Sequence, residues 1–139
     1  MSDTITLTGL VATTPRHLVT SEGQLSRPLR GLPITSFRLA STQRRYDDAA
    51  EKWVDSDTNW YTITCFRDLA IKVVGSLIKG QRILVTGTLR IRDWESGDRA
   101  GTTVEVDAET IGHDLRYGTS TFIRAVKPAE EVIPSETMA

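Results

Sequence analysis

The 139-residue chain is poor in several features on which specialised protein classes depend. It has a single cysteine, Cys65, and therefore cannot close a disulfide within one chain. No apolar run is long enough to span a membrane, and the first residues lack the charged and apolar regions of a signal peptide. We therefore expect a cytoplasmic protein that contacts no membrane.

The chain also lacks a recognisable catalytic or metal-binding constellation. Its two histidines, His17 and His113, are far apart in sequence, and neither has a metal-ligand partner at the usual spacing. Neither a P-loop nor a GxGxxG motif is present. Glu105, Asp107 and Glu109 alternate along one segment, which favours a solvated or intersubunit strand face over a cation site. We therefore expect a protein that is not an enzyme and needs no cofactor or metal.

Charge of neither sign dominates. The formal net charge is −1, and the acidic excess lies in residues 127–139, so the rest of the chain is close to neutral. A near-neutral body argues against binding nucleic acid through net charge alone. Arginine greatly outnumbers lysine, and arginine is the cation that can both stack on bases and fork onto phosphates.

What the sequence does contain is the apolar/polar alternation of β-strands. Residues 17–20 are expected to extend the first strand beyond a bend or a bulge at residues 13–15. One apolar stripe predicts a helix over residues 69–79, with Asp68 as N-cap and Gly80 as the closing glycine. The predicted strands cover residues 4–11, 34–41, 59–67, 81–94, 102–111 and, more weakly, 116–126.

Five strands with a helix between the third and the fourth is the order of the OB-fold, a small Greek-key barrel, and other small β-proteins with one helix are the alternative. We predict an all-β protein with one helix, an OB-fold with an extra C-terminal strand. Residues 1–126 form this domain, and residues 127–139 form a short disordered acidic tail. The polar residues 43–58 predict a long mobile hairpin loop, or a helical turn within it, and residues 95–101 predict a second polar loop.

One face of two predicted strands carries aromatic and basic side chains. Trp60 and Phe66 share a face of one strand, and Arg90, Arg92 and Trp94 share a face of the next. Proteins that bind unpaired nucleic acid stack bases on aromatic rings and meet phosphates with guanidinium groups. The alternative is that these aromatic rings complete a second core or an oligomer contact.

The hairpin segment adds four further candidates for nucleic-acid binding. Arg44 and Arg45 supply positive charge, and Tyr46 and Trp53 supply aromatic rings. Five carboxylates in the same segment oppose this function. A tryptophan in so polar a segment needs a partner, which is a base, the protein's own sheet or another subunit.

The chain resembles the bacterial single-stranded DNA-binding protein family, in particular its actinobacterial form. Four segments in the right order carry the resemblance: residues 37–42 (FRLAST), 60–66 (WYTITCF), 77–94 (LIKGQRILVTGTLRIRDW) and 104–112 (VEVDAETIG). The resemblance implies base stacking on Trp60, Phe66 and Trp94, with a further stacking residue at Tyr46 or Arg45. It also implies a homotetramer on single-stranded DNA, and an extra strand beginning at residues 116–119 (RYGT) that clamps neighbouring subunits.

The C-terminal residues depart from the family pattern. Family members usually end in a low-complexity linker and an acidic tip that finishes in Pro and Phe, whereas residues 130–139 read EEVIPSETMA. The resemblance therefore implies a short paralogue that acts in replication, repair, recombination or competence without recruiting replication enzymes through its tail. The chemistry of the residues leaves two alternatives, an OB-fold RNA binder and an oligomeric interaction subunit that does not bind DNA.

Overall fold

The computed structural model describes residues 3–20 and 31–126. Within these residues, no helix is long and apolar enough to cross a membrane. The elements are β1 (Asp3–Val11), β2 (Arg16–Val19), β3 (Pro33–Asp47), β4 (Lys52–Phe66), α1 (Arg67–Ser76), β5 (Arg82–Ser96) and β6 (Arg99–His113).

The strands form one sheet that closes on itself. Neighbours follow the order β1-β5-β6-β4-β3-β2, and β1 also pairs with β3 through Leu10 and Val11. The β4–β6 pair is parallel, and the other pairs are antiparallel. Because β1 and β2 both pair with β3, they are two parts of one bent strand. The predicted OB-fold is thereby confirmed.

The barrel interior is filled by alternate residues of the strands. Leu39, Ile63 and Val106 are completely buried there, and α1 contributes Ala70 and Val73 to the same cluster. Cys65 belongs to this core, and desolvation by burial raises the pKa of its thiol to about 12. The thiol therefore stays protonated at neutral pH and is a packing group rather than a nucleophile.

The helix is shorter than predicted at its C-terminal end and begins without the predicted cap. Phe66 is the N-cap residue and makes no side-chain capping bond, while Asp68 lies in the first turn. A carboxylate there still favours the positive end of the helix dipole. The helix ends at Ser76 because Leu77, 6 % exposed, turns to an extended backbone that packs into the core. Gly80, with φ +99°, belongs to the following turn rather than to the helix end.

The two segments predicted as polar loops are mostly strand. β3 and β4 continue as a two-stranded ribbon to a turn at residues 48–51, where the Asp47 carboxylate accepts hydrogen bonds from the backbone N–H groups of Ala49 and Ala50. β5 and β6 join through a two-residue turn at residues 97–98, with Gly97 at φ +62°. A ribbon outside the barrel is solvated on both faces, so its residues lack the apolar alternation that marks a strand.

The predicted strand over residues 116–126 is wrong for the single chain. After β6 the backbone turns at Asp114, whose carboxylate binds the Arg116 guanidinium at 2.8 Å, a hydrogen bond that lowers the pKa of Asp114. The chain then runs without strand pairing to residue 126, and Phe122, Ile123 and Val126 are 86–99 % exposed. A strand needs a partner edge, and this segment pairs with none in the described chain. Residues 127–139 lie outside the described residues, so the predicted tail stays a prediction.

Candidate nucleic-acid interface

The predicted aromatic and basic residues of β4 and β5 lie on one outer face of the barrel. Directly paired residues of neighbouring strands share a face, and β6 connects β5 to β4. Trp94 of β5 is paired with Gly101 of β6, and Thr62 of β4 is paired with Glu105 of β6. Gly101 and Glu105 are an even number of positions apart in β6, so these residues of the three strands lie on the same face. This surface, called the aromatic face below, carries Trp60, Phe66, Arg90, Arg92, Trp94, Glu105, Asp107 and, from β3, Arg38.

The three aromatic side chains differ in their accessibility. Trp60 is 51 % exposed and Trp94 is 42 % exposed, so each indole is open to a stacking base. Phe66 lies at the junction of β4 and α1, opposite Ile34 of β3, and is half-buried. Phe66 therefore offers less ring surface to a ligand than either tryptophan.

Arg38 is a residue of this face that the sequence did not identify as a candidate. Its guanidinium carbon lies 5.4 Å from the centre of the Trp60 ring, a cation–π distance. Arg38 is paired with Thr62, next along β4 on the same face as Trp60. Its outward orientation was readable from alternation, but its neighbour depends on the β3–β4 register. A phosphate beside a base on Trp60 would find this cation within reach.

Arg90 and Arg92 are engaged with carboxylates of the next strand. Arg90 Nη1 lies 3.1 Å from Asp107 Oδ2, and Arg92 Nη2 lies 3.2 Å from Glu105 Oε1. The carboxylate side chains are 29 % and 17 % exposed, against 56 % and 64 % for the arginines. The acids thus lie deeper than the guanidinium groups. We call these four residues the ion-pair ladder; its net charge is zero.

A β-bulge in the β3–β4 ribbon decides which hairpin residues join the aromatic face. The register runs from Thr42 opposite Thr58 to Arg44 opposite Asp55, so β4 carries one extra residue. The extra residue reverses the alternation of β4, because paired residues share a face. Trp53 therefore lies on the side of Trp60 despite its odd number.

Tyr46 and Trp53 pair directly near the tip of the ribbon. Their ring centres are 5.7 Å apart at 77°, an edge-to-face contact, and the rings are 47 % and 60 % exposed. Arg44 follows on the same side and lies 3.7 Å from Asp55. Arg45, paired with Val54, lies on the opposite side of the ribbon. Of the two candidates for the first stacking position, only Tyr46 thus shares the side of Trp60.

The assembled surface has the parts needed to hold a flexible polyanion with flat bases. Exposed rings follow the sheet from Trp94 through Trp60 to the Tyr46–Trp53 pair, and guanidinium groups stand between them. Among the described residues, no group of three or more His, Cys, Asp or Glu side chains is placed to hold a metal ion. The exposed rings and guanidinium groups of this surface support stacking and ion pairing.

Comparisons with known proteins find similarity to one family. The profile of the "Single-strand binding protein family" matches residues 3–114, which contain β1 to β6 and α1. "Single-stranded DNA-binding protein 2" of Tropheryma whipplei is 48 % identical over 118 residues, covering 85 % of this chain and 72 % of the relative. "Single-stranded DNA-binding protein 1" of Streptomyces coelicolor is 36 % identical over 126 residues, covering 91 % and 75 %. The crystal structure of a small single-stranded DNA-binding protein from Streptomyces coelicolor superposes with a TM-score of 0.71 at 35 % identity, covering 85 % of this chain and 99 % of that chain.

Proposed function

Because the chain belongs to the single-strand binding protein family, we propose that it binds and protects single-stranded DNA in replication, repair or recombination. It does so in the cytoplasm, without catalysing a reaction on the DNA. The observation that carries the proposal is the aromatic face, which joins three exposed tryptophans and four arginines on one side of the barrel and its ribbon. The names of the two relatives from Tropheryma whipplei and Streptomyces coelicolor refer to the same ligand.

Stacking supplies binding without sequence preference, because every base has a flat π-face. Trp60, Trp94 and the Tyr46–Trp53 pair each receive a base, and Phe66 supports a base from its half-buried position. Arg38 and Arg44 meet phosphates beside these platforms. Arg90 and Arg92 reach phosphates after leaving their carboxylates, and Arg45 meets the strand only where it passes around the edge of the ribbon.

The same geometry predicts discrimination against duplex DNA. Bases in a duplex are already stacked on one another, so the rings of the aromatic face cannot reach their flat sides. Binding to single strands then depends on the rings, and each base stacked on an aromatic ring contributes about 1–3 kcal/mol.

The test is a titration of the full chain with oligo-dT and with a duplex of equal length, followed by tryptophan fluorescence. We expect quenching by oligo-dT, much weaker binding of the duplex, and a loss of about 1–3 kcal/mol in Trp60→Ala. Ile78→Ala, which truncates a 66 % exposed side chain in the turn after α1, is the matched control and should bind as the unsubstituted chain does. Equal affinity for duplex and single strand, or unchanged affinity in Trp60→Ala, would contradict the proposal.

We further propose that the protein is a homotetramer. Among the described residues, residues 3–9 of β1 pair only with β5, which leaves a backbone edge for a second chain. Residues 116–126 expose Phe122, Ile123 and Val126, and they form the predicted clamp strand when a neighbouring subunit supplies the partner edge. Light scattering at micromolar concentration should give about four times the chain mass of 15.4 kDa. A monomeric mass would rule out this assembly.

A further inference from the structure

Trp94 and Gly101 face each other across β5 and β6. A Cβ atom placed on Gly101 would lie 2.7 Å from Cζ2, 2.9 Å from Cε2 and 3.1 Å from Nε1 of Trp94. Separations under 3.0 Å are essentially absent from real Cβ contacts. The indole edge that carries Nε1, Cε2 and Cζ2 therefore occupies the position that a Cβ atom of residue 101 would need.

The ring of Trp94 is supported by the backbone of β6 at Gly101. Every residue from Arg90 to Ala100 is exposed, because this arm of the sheet extends beyond the barrel core. Gly101 is half-buried, whereas residues 99, 100 and 102 are exposed. Trp94 is also the least exposed of the three tryptophans. The indole thus covers Gly101 and leaves its remaining surface open.

We infer that Gly101 is a positioning residue for the base platform at Trp94, an inference that rests on the proposed function. The absence of a side chain at position 101 allows the indole to lie against the β6 backbone before any ligand arrives. A ring already held in its binding orientation loses little rotational freedom when a base stacks on it, which favours binding. Gly101 touches no base itself and acts through Trp94.

The substitution Gly101→Ala separates this role from a role in folding. The clashing atoms belong to a side chain on an exposed arm, so the new methyl group displaces the indole and leaves the strand pairing intact. We expect the barrel to fold normally and oligo-dT to bind about two- to tenfold more weakly, the range for one side chain that must be ordered on binding.

The first measurement uses the free protein with Trp53→Phe and Trp60→Phe, so that Trp94 is the only tryptophan. In this background Gly101→Ala should increase acrylamide quenching of Trp94 and shift its emission to longer wavelength. Gly112→Ala is the matched control, since Gly112 lies in the same strand and its added Cβ would meet nothing within 4 Å. The control should leave the emission and the quenching unchanged.

The second measurement titrates oligo-dT into both alanine variants of the otherwise unsubstituted chain, with and without Trp94→Ala. We expect Gly101→Ala to weaken binding when Trp94 is present and to have no further effect when Trp94 is absent. Equal quenching and equal affinity in the two alanine variants would overturn the inference. So would an undiminished effect of Gly101→Ala in the Trp94→Ala chain. Failure of the unsubstituted chain to bind oligo-dT would instead overturn the proposed function, while the quenching comparison decides the ring position independently.

Discussion

Removing both acids of the ion-pair ladder, by Glu105→Gln together with Asp107→Asn, changes the electrostatics of DNA binding in a calculable way. In the unsubstituted chain each arginine of the ladder lies within 3.2 Å of a carboxylate oxygen. The four charges sum to zero, so the ladder adds little to the net attraction of phosphate. In the double variant two guanidinium groups stand unpaired on the aromatic face.

The expected magnitude follows from the number of freed cations. Each phosphate contact contributes about −0.7 to the slope of log K against log salt concentration on single strands. Two freed guanidinium groups should therefore steepen the slope by up to about 1.4. Between about 50 and 200 mM salt, this amounts to roughly a sevenfold greater loss of affinity than in the unsubstituted chain. Exposed ion pairs contribute about 0–1 kcal/mol to stability, so the barrel should remain folded.

The assay is a salt titration of oligo-dT binding, with tryptophan fluorescence as the signal. Asp68→Asn together with Glu109→Gln is the control, because it removes two exposed carboxylates that form no ion pair within the described residues. The control has the same net charge as the test variant but leaves both arginines of the ladder paired with their carboxylates. An equal change of slope in the two variants would show that net charge alone matters and would refute the reasoning from the ladder.

Two further predictions concern Cys65 and the acidic tail. The thiol of Cys65 should resist an aromatic disulfide reagent at pH 8 in the native state, because burial raises its pKa from the usual 9.0 to about 12. For the same reason its contribution to stability is complete below about pH 9 and is lost as the pH rises from about 9 towards 12. Denaturant titrations at pH 8 and pH 10.5 should show a smaller decline in Cys65→Ala, and rapid modification of the native thiol would contradict its burial. Deletion of residues 128–139 removes Glu130, Glu131 and Glu136, so affinity for oligo-dT should stay the same or rise while the mass by light scattering still corresponds to four chains. A loss of affinity on this deletion would contradict a tail without a role in binding.

The composition of the aromatic face was largely predictable from the sequence, because alternation has a period of two. Aliphatic residues at odd positions around Ile63 and Leu89 form the inner face, which places Trp60, Phe66 and Trp94 outside. The contacts within the face were not predictable, since they depend on register. The ladder joins β5 to β6, and the pairing of β6 with β4 brings Glu105 beside Thr62, 43 positions away in the chain.

The arms that extend beyond the barrel were the least predictable part of the fold. Residues 43–58 and 95–101 have no buried face, so their strand pairing leaves no apolar pattern in the sequence. Residues 116–126 show the opposite case, since their sequence predicts a strand whereas they pair with no strand of the described chain. The apolar pattern of a sequence indicates which residues are buried, not which backbone groups form strand hydrogen bonds. In these segments a strand forms without a buried face, or an apolar segment forms no strand, and the sequence-based assignment was therefore wrong.

The bulge at residues 56–57 takes up one extra residue of β4 without changing the side of the ribbon on which Trp53 lies. Losing one residue there would remove the bulge and restore strict alternation, with Trp53 still opposite Tyr46 on the side of Trp60, whereas losing a second residue would turn Trp53 to the other side. Related chains whose β4 differs in length by this one residue are therefore functionally equivalent, because the bulge compensates for the difference. Residue-by-residue comparison of such hairpins must follow the side of the ribbon, not the position in the sequence, to identify the aromatic residues that meet the same nucleotide.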